Sequence, residues 1–110
     1  MTPNEYQQLA FRTAKAELDF KQQLTNGALG LTGESGEVAD LVKKHLYQGH
    51  GIISVLPKIK EELGDVLWYV ALIASAMGTP LEDIMQANID KLRKRYPDGF
   101  DPERSVHRDE

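Results

Sequence analysis

Glu61-Glu62-Leu63-Gly64-Asp65-Val66-Leu67-Trp68-Tyr69 reads as the middle of an apolar helix that carries acids. Glu62 and Asp65 stand three residues apart, so on a helix their carboxylates share one face, about a turn apart. A second pair with the same spacing, Glu34 and Glu37, lies upstream in Gly33-Glu34-Ser35-Gly36-Glu37-Val38-Ala39-Asp40. Carboxylates turned toward a core are costly unless something positive joins them. A hard divalent cation is the simplest such partner, because Mg²⁺ and Mn²⁺ prefer oxygen ligands.

Outward from these pairs the pattern predicts four helices and no strand. Thr2 as N-cap, Pro3 at N1 and Glu5 at N3 open the first, which the spacing of Tyr6, Leu9, Ala10, Thr13, Ala16 and Phe20 carries to about Leu24. Asn26-Gly27 marks a turn, and the second helix runs from about Gly27 to Tyr47. Gly27, Gly30, Gly33 and Gly36 recur every three residues in it, each costing about 1 kcal/mol relative to alanine. Either they let a ligand or another backbone approach the acids, or they serve plain helix packing or a late helix start; the sequence leaves both open. Ser54 is the expected N-cap of the third helix, which runs to about Met77 and is closed by Gly78 at C′. Thr79-Pro80-Leu81-Glu82 reads as a capping box for the fourth, to about Tyr96. Pro97-Asp98-Gly99 turns the chain, Asp101-Pro102-Glu103 starts one more helical turn, and residues 105–110 are expected to fray within a tail that begins near residue 101.

Short connections make successive helices antiparallel neighbours, which predicts an all-α, four-helix-bundle-like fold. Glu37 lies roughly 15 Å before the end of the second helix, and Glu62 and Asp65 roughly 10 to 15 Å into the third, so four carboxylates can face one point. The same counting sets Asn88, Lys91 and Arg95, one stripe of the fourth helix, opposite them. Acids that hold a metal, facing an amide and two cations, suit a metal-bound polyphosphate. No histidine stands three residues after any of these acids, so a di-iron Glu-x-x-His arrangement is excluded and an all-oxygen site for Mg²⁺, or Mn²⁺, is favoured. His45 and His50 read as surface or structural groups rather than ligands. Trp68, three residues from Asp65, either reaches the site edge to stack on a base or fills the core, the commoner role of a large aromatic on an apolar helix.

The chain has 110 residues, 41% of them hydrophobic, and a net charge of −4, which suits one domain over residues 1–110. A chain this short buries a modest fraction of its surface, and an oligomer relieves that limit. There is no basic run of the kind that binds nucleic acid, no cysteine for a disulfide or thiolate, and no signal peptide pattern. The longest apolar run, Val66 to Met77, is too short to span a bilayer. A cytoplasmic protein with no membrane or nucleic-acid partner is expected.

Glu34-x-x-Glu37, 24 intervening residues and Glu62-x-x-Asp65, with Asn88-x-x-Lys91-Leu92-x-x-Arg95-Tyr96-Pro97-x-Gly99-Phe100, together resemble the MazG-like all-α nucleoside triphosphate pyrophosphohydrolases. The resemblance spans roughly Asn4 to Phe100. It implies metal-dependent hydrolysis of a (d)NTP between the α and β phosphates, giving a monophosphate and pyrophosphate. It further implies a homodimer or homotetramer with sites near subunit contacts. It makes Glu34, Glu37, Glu62 and Asp65 metal ligands, and Asn88, Lys91 and Arg95 phosphate contacts. Glu37, with Glu34 as the other candidate, is the acid expected to orient or deprotonate the attacking water. Three alternatives remain open from sequence: an enzyme restricted to dUTP or dCTP, a hydrolase of another phosphorylated metabolite, and a non-catalytic helical module that binds nucleotides or a partner protein.

Overall fold

The computed structural model describes residues 1–107. They form five helices, α1 (Pro3–Phe11), α2 (Phe20–Tyr47), α3 (Ile52–Ala76), α4 (Leu81–Arg95) and α5 (Pro102–Val106), and no strand among the described residues. The all-helical expectation holds. Thr2 caps α1 as expected, its Oγ1 accepting from the Glu5 amide at 3.1 Å.

The first helix, expected to reach Leu24, instead stops at Phe11. Asp19 and Gln22 form a reciprocal capping box, in which Asp19 Oδ1 accepts from the Gln22 amide (2.8 Å) and Gln22 Oε1 from the Asp19 amide (3.0 Å). That box starts α2 at Phe20 and competes successfully with the helical apolar period that continues through Phe20. Asn26-Gly27, expected to turn, lies inside α2, where Gly27 is buried against Ile73 of α3. α3 begins at Ile52 with Gly51 as N-cap, three residues before the expected start after Ser54, because the Ser54 and Val55 amides both bond the Gly51 carbonyl.

Gly78 ends α3 as expected. With φ +65° it permits a Schellman closure, in which the Thr79 amide bonds the Ala74 carbonyl (2.9 Å) and the Gly78 amide that of Ser75 (3.0 Å). Thr79 is thereby spent on α3, so the expected Thr79 capping box does not form and Pro80 is the N-cap of α4. α4 leaves at 103° to α3 rather than folding back along it. The antiparallel α3–α4 pairing expected from the short connection is therefore not made within the chain. Asp101 caps α5, which takes in Ser105 and Val106 where fraying was expected; residues 108–110 of that tail lie outside the described residues.

The interior is small: Ala10, Val55, Ala71, Leu72, Ala74 and Leu81 are buried. Along α3 a stripe of large side chains stays half exposed, with Leu56 at 52%, Leu63 at 50% and Leu67 at 53%. Ile84, Met85, Ile89 and Leu92 form a second uncovered stripe on α4. The radius of gyration is 17.1 Å, against about 13 Å for a compact globule of this length. No single helix among the described residues is long and apolar enough to cross a membrane.

Candidate metal centre

α2 and α3 run antiparallel, as matched levels record: Ile73 lies on Gly27, Tyr69 on Gly30, and Glu62 and Asp65 reach Glu34. A Cβ at Gly27 would overlap Ile73, and one at Gly30 would overlap the Tyr69 ring. Bare backbone at these two positions lets α3 close on α2 one and two turns from the acids. Gly33 and Gly36 meet no such neighbour and face open space. The glycines thus divide: two serve helix packing that positions the acids, and two leave a face of α2 open.

One oxygen each from Glu34, Glu62 and Asp65 lies within 4.8 Å of the other two. Octahedral Mg²⁺, with bonds of about 2.1 Å, spaces its ligand oxygens roughly 3 to 4.2 Å apart. Sub-ångström side-chain movements would close the trio on one ion, and its all-oxygen chemistry fits a hard cation. The Glu62 carboxyl is pushed up from 4.5 to about 7, first by a hydrogen bond with Glu34, then by burial and by the negative charges of Glu34, Asp65 and Glu61. A carboxyl raised in this way takes up a proton more readily, so protons compete with a cation for these oxygens as pH falls below about 7.

This fixes the sign of a pH effect. The folded value for Glu62, about 7, exceeds its ordinary 4.5, so the native state binds the extra proton between them. Metal-free protein should therefore lose stability as pH rises from about 4.5 through about 7, whereas Mg²⁺ affinity should climb over the same interval and level off above it. Thermal melts across that range, with and without Mg²⁺, check this; a metal-free profile that rises with pH contradicts the raised Glu62 carboxyl.

The other expected site residues are less gathered. Glu37 stands exposed one turn beyond Glu34, outside the three-carboxylate group. Trp68 packs against the Ala10, Ala71 and Leu81 cluster, and its indole N–H donates to Thr13 Oγ1 at 2.7 Å. Its ring meets that of Tyr69 edge-on at 4.9 Å. Asn88 is exposed on α4; Lys91 and Arg95 line a cavity with Lys94, Asp101 and Arg104, and no acid of the metal group borders it. The expected meeting of this stripe with the carboxylates assumed antiparallel α3 and α4, and the 103° corner prevents it within one chain. Lys44 is held by Asp40 at 3.0 Å, and this contact is the first cause of the lowered Asp40 pKa. His45 Nδ1 lies 2.8 Å from the His50 carbonyl oxygen, a local contact that ties the α2–α3 loop.

Sequence reasoning missed Tyr6. Its phenol is pushed up first by burial and then by the negative charge of Asp65. The apolar spacing of the N-terminal segment marked Tyr6 only as a core residue, and no local signal ties it to Asp65.

An all-helical chain that converges three carboxylates from two antiparallel helices, with no histidine among them, has the donor set of an all-oxygen hard-cation site. Residues 22–100 match the family described as the MazG nucleotide pyrophosphohydrolase domain. The Gene 37 protein of Mycobacterium phage L5 is 38% identical over 85 residues, covering 76% of this chain and 75% of the phage protein. The dCTP pyrophosphatase 1 proteins of Bos taurus and Mus musculus are 33% and 35% identical over 88 residues, 74% of this chain and 52% of theirs. The chain thus spans about half the length of these two relatives. No solved structure matches it. The chain belongs to the MazG nucleotide pyrophosphohydrolase family. Its activity class is accordingly that of a nucleotide pyrophosphohydrolase.

Proposed function

We propose that this chain, as one domain over residues 1–110, hydrolyses (d)NTPs between the α and β phosphates with Mg²⁺ held by Glu34, Glu62 and Asp65. The observation that carries it is the convergence of those three carboxylates within 4.8 Å. Mn²⁺ suits the same oxygen set. The bound ion supplies Lewis-acid polarisation of the phosphate and offsets charge on the departing pyrophosphate. Glu34, Glu62 and Asp65, once deprotonated, would hold the ion at the α2–α3 groove, where it would supply a binding point for the phosphate end of the substrate. Glu37, close by on α2 and outside the trio, orients the attacking water and takes its proton; Glu34 is the alternative for this step. Asn88, Lys91 and Arg95 bind phosphate oxygens. Trp68, half-buried with its N–H held by Thr13, borders the base.

The same proposal includes an assembly. The uncovered stripes of α3 and α4 and the extended 17.1 Å radius of gyration support a homodimer or homotetramer that completes a bundle around α2 and α3. In it the α4 cations of one copy complete the acidic site of another. A net charge of −4 supports a small-molecule substrate over nucleic acid, and a triphosphate substrate suits the cytoplasm.

A second reading has specific support: two mammalian relatives carry the name dCTP pyrophosphatase, which favours a narrow, dCTP-like range. A panel of canonical and modified (d)NTPs with Mg²⁺, read as monophosphate and pyrophosphate, tests both. Equimolar monophosphate and pyrophosphate are expected; release of orthophosphate, or no turnover of any triphosphate, contradicts the proposal. Turnover of dCTP alone selects the narrow reading.

A further inference from the structure

α4 begins without a side-chain cap of its own. Its first free amides are instead met from α1. Gln7 Oε1 accepts from the Leu81 amide at 2.7 Å, and Asn4 Oδ1 from the Glu82 amide at 3.1 Å. Each side chain grips a second time. Gln7 Nε2 donates to the Thr79 carbonyl at 2.9 Å and to Ser75 Oγ at 3.3 Å, while Asn4 Nδ2 donates to the Glu82 carboxylate at 3.2 Å. Two amides on α1 thus hold the last turn of α3, the connection and the first turn of α4 as one corner. The first four amides of a helix need outside partners, so the geometry of this clasp fixes where α4 can point.

We propose that Asn4 and Gln7 are positioning residues for substrate: by capping α4 from α1 they aim Lys91 and Arg95, an inference resting on the phosphate role of those cations proposed above. Lys91 lies ten residues beyond Leu81, roughly 15 Å along the helix. On such a lever a tilt of about 15° at the corner displaces Lys91 by about 4 Å, more than a hydrogen bond or ion pair tolerates.

Gln7→Met keeps the side-chain length and removes all three bonds. In the full chain it is expected to speed amide exchange at Leu81 and Glu82, and to raise KM for a triphosphate about tenfold with kcat and Mg²⁺ affinity within about twofold. Gln7→Glu retains an acceptor for the Leu81 amide and should restore most of the protection and of KM. Lys91→Ala, run alongside, should raise KM in the same way. If KM rises for Lys91→Ala but stays at wild type for Gln7→Met, the positioning role is overturned while the phosphate role stands. A flat KM for Lys91→Ala overturns the phosphate role, and the exchange data then judge the clasp alone: unchanged Leu81 protection in Gln7→Met refutes it. Should Gln7→Met fail to fold, Asn4→Ala carries the same test with an expected KM increase of about threefold.

Discussion

Asp65→Asn should reduce Mg²⁺-dependent hydrolysis by about 10³-fold while leaving the helical fold intact, because it removes the negative charge from one of the three carboxylates that lie within 4.8 Å of one another. The amide keeps the side-chain size and an acceptor oxygen, so loss of charge is the main change. Its structural signature separates it from simple unfolding. Asp65 is one of the charges that hold the Glu62 carboxyl high, so its neutralisation should bring Glu62 down toward its ordinary range. Metal-free Asp65→Asn should then be at least as stable as the parent at pH 8, since a like charge has left the cluster. Glu34→Gln should lose activity similarly, and removes in addition the hydrogen-bond partner that is the first cause of the Glu62 shift. Circular dichroism, thermal melts and Mg²⁺ calorimetry on the same samples check this. A folded Asp65→Asn enzyme with near-parental turnover contradicts the assignment.

Gly30→Ala carries the second large effect. The added methyl would overlap the Tyr69 ring, which already packs perpendicular to Trp68 at 4.9 Å between centroids. Overpacking of this kind costs about 1–3 kcal/mol, against a gain of about 1 kcal/mol in helix propensity. If α3 is pushed away instead, Glu34 separates from Glu62 and Asp65, and Mg²⁺ affinity should fall by about tenfold or more. Gly33→Ala is the internal control. Its Cβ meets nothing within 4 Å, so it should stabilise the chain by about 1 kcal/mol. Denaturant unfolding and Mg²⁺ titration of the two variants should therefore move in opposite directions. Gly30→Ala with parental stability and affinity would mean the α2–α3 spacing is not set by that glycine. A loss at Gly33→Ala would mean that another copy of the chain lies there.

What could be read from sequence was what local chemistry decides. The i, i+3 acids, the Thr2 cap of α1, the Gly78 closure of α3 and the absence of histidine from the acid set each depend on a few neighbouring residues. The rest depended on competition between signals. A helical apolar period running through Phe20 hid the Asp19–Gln22 box, although both residues were in plain view. Asn26-Gly27 carried turn chemistry, but the packing of Ile73 onto bare backbone keeps the chain helical there. The direction of α4 was beyond reach, because it is set by Asn4 and Gln7, more than 70 residues away in sequence. The placement of Lys91 and Arg95 relative to the acids went wrong with it.

The most direct test is diffraction from crystals grown with Mn²⁺, recorded at the manganese edge. One anomalous peak bound by Glu34, Glu62 and Asp65 of the same chain is the predicted result. Peaks only at other side chains, or an empty α2–α3 groove with those three carboxylates turned apart, would contradict it.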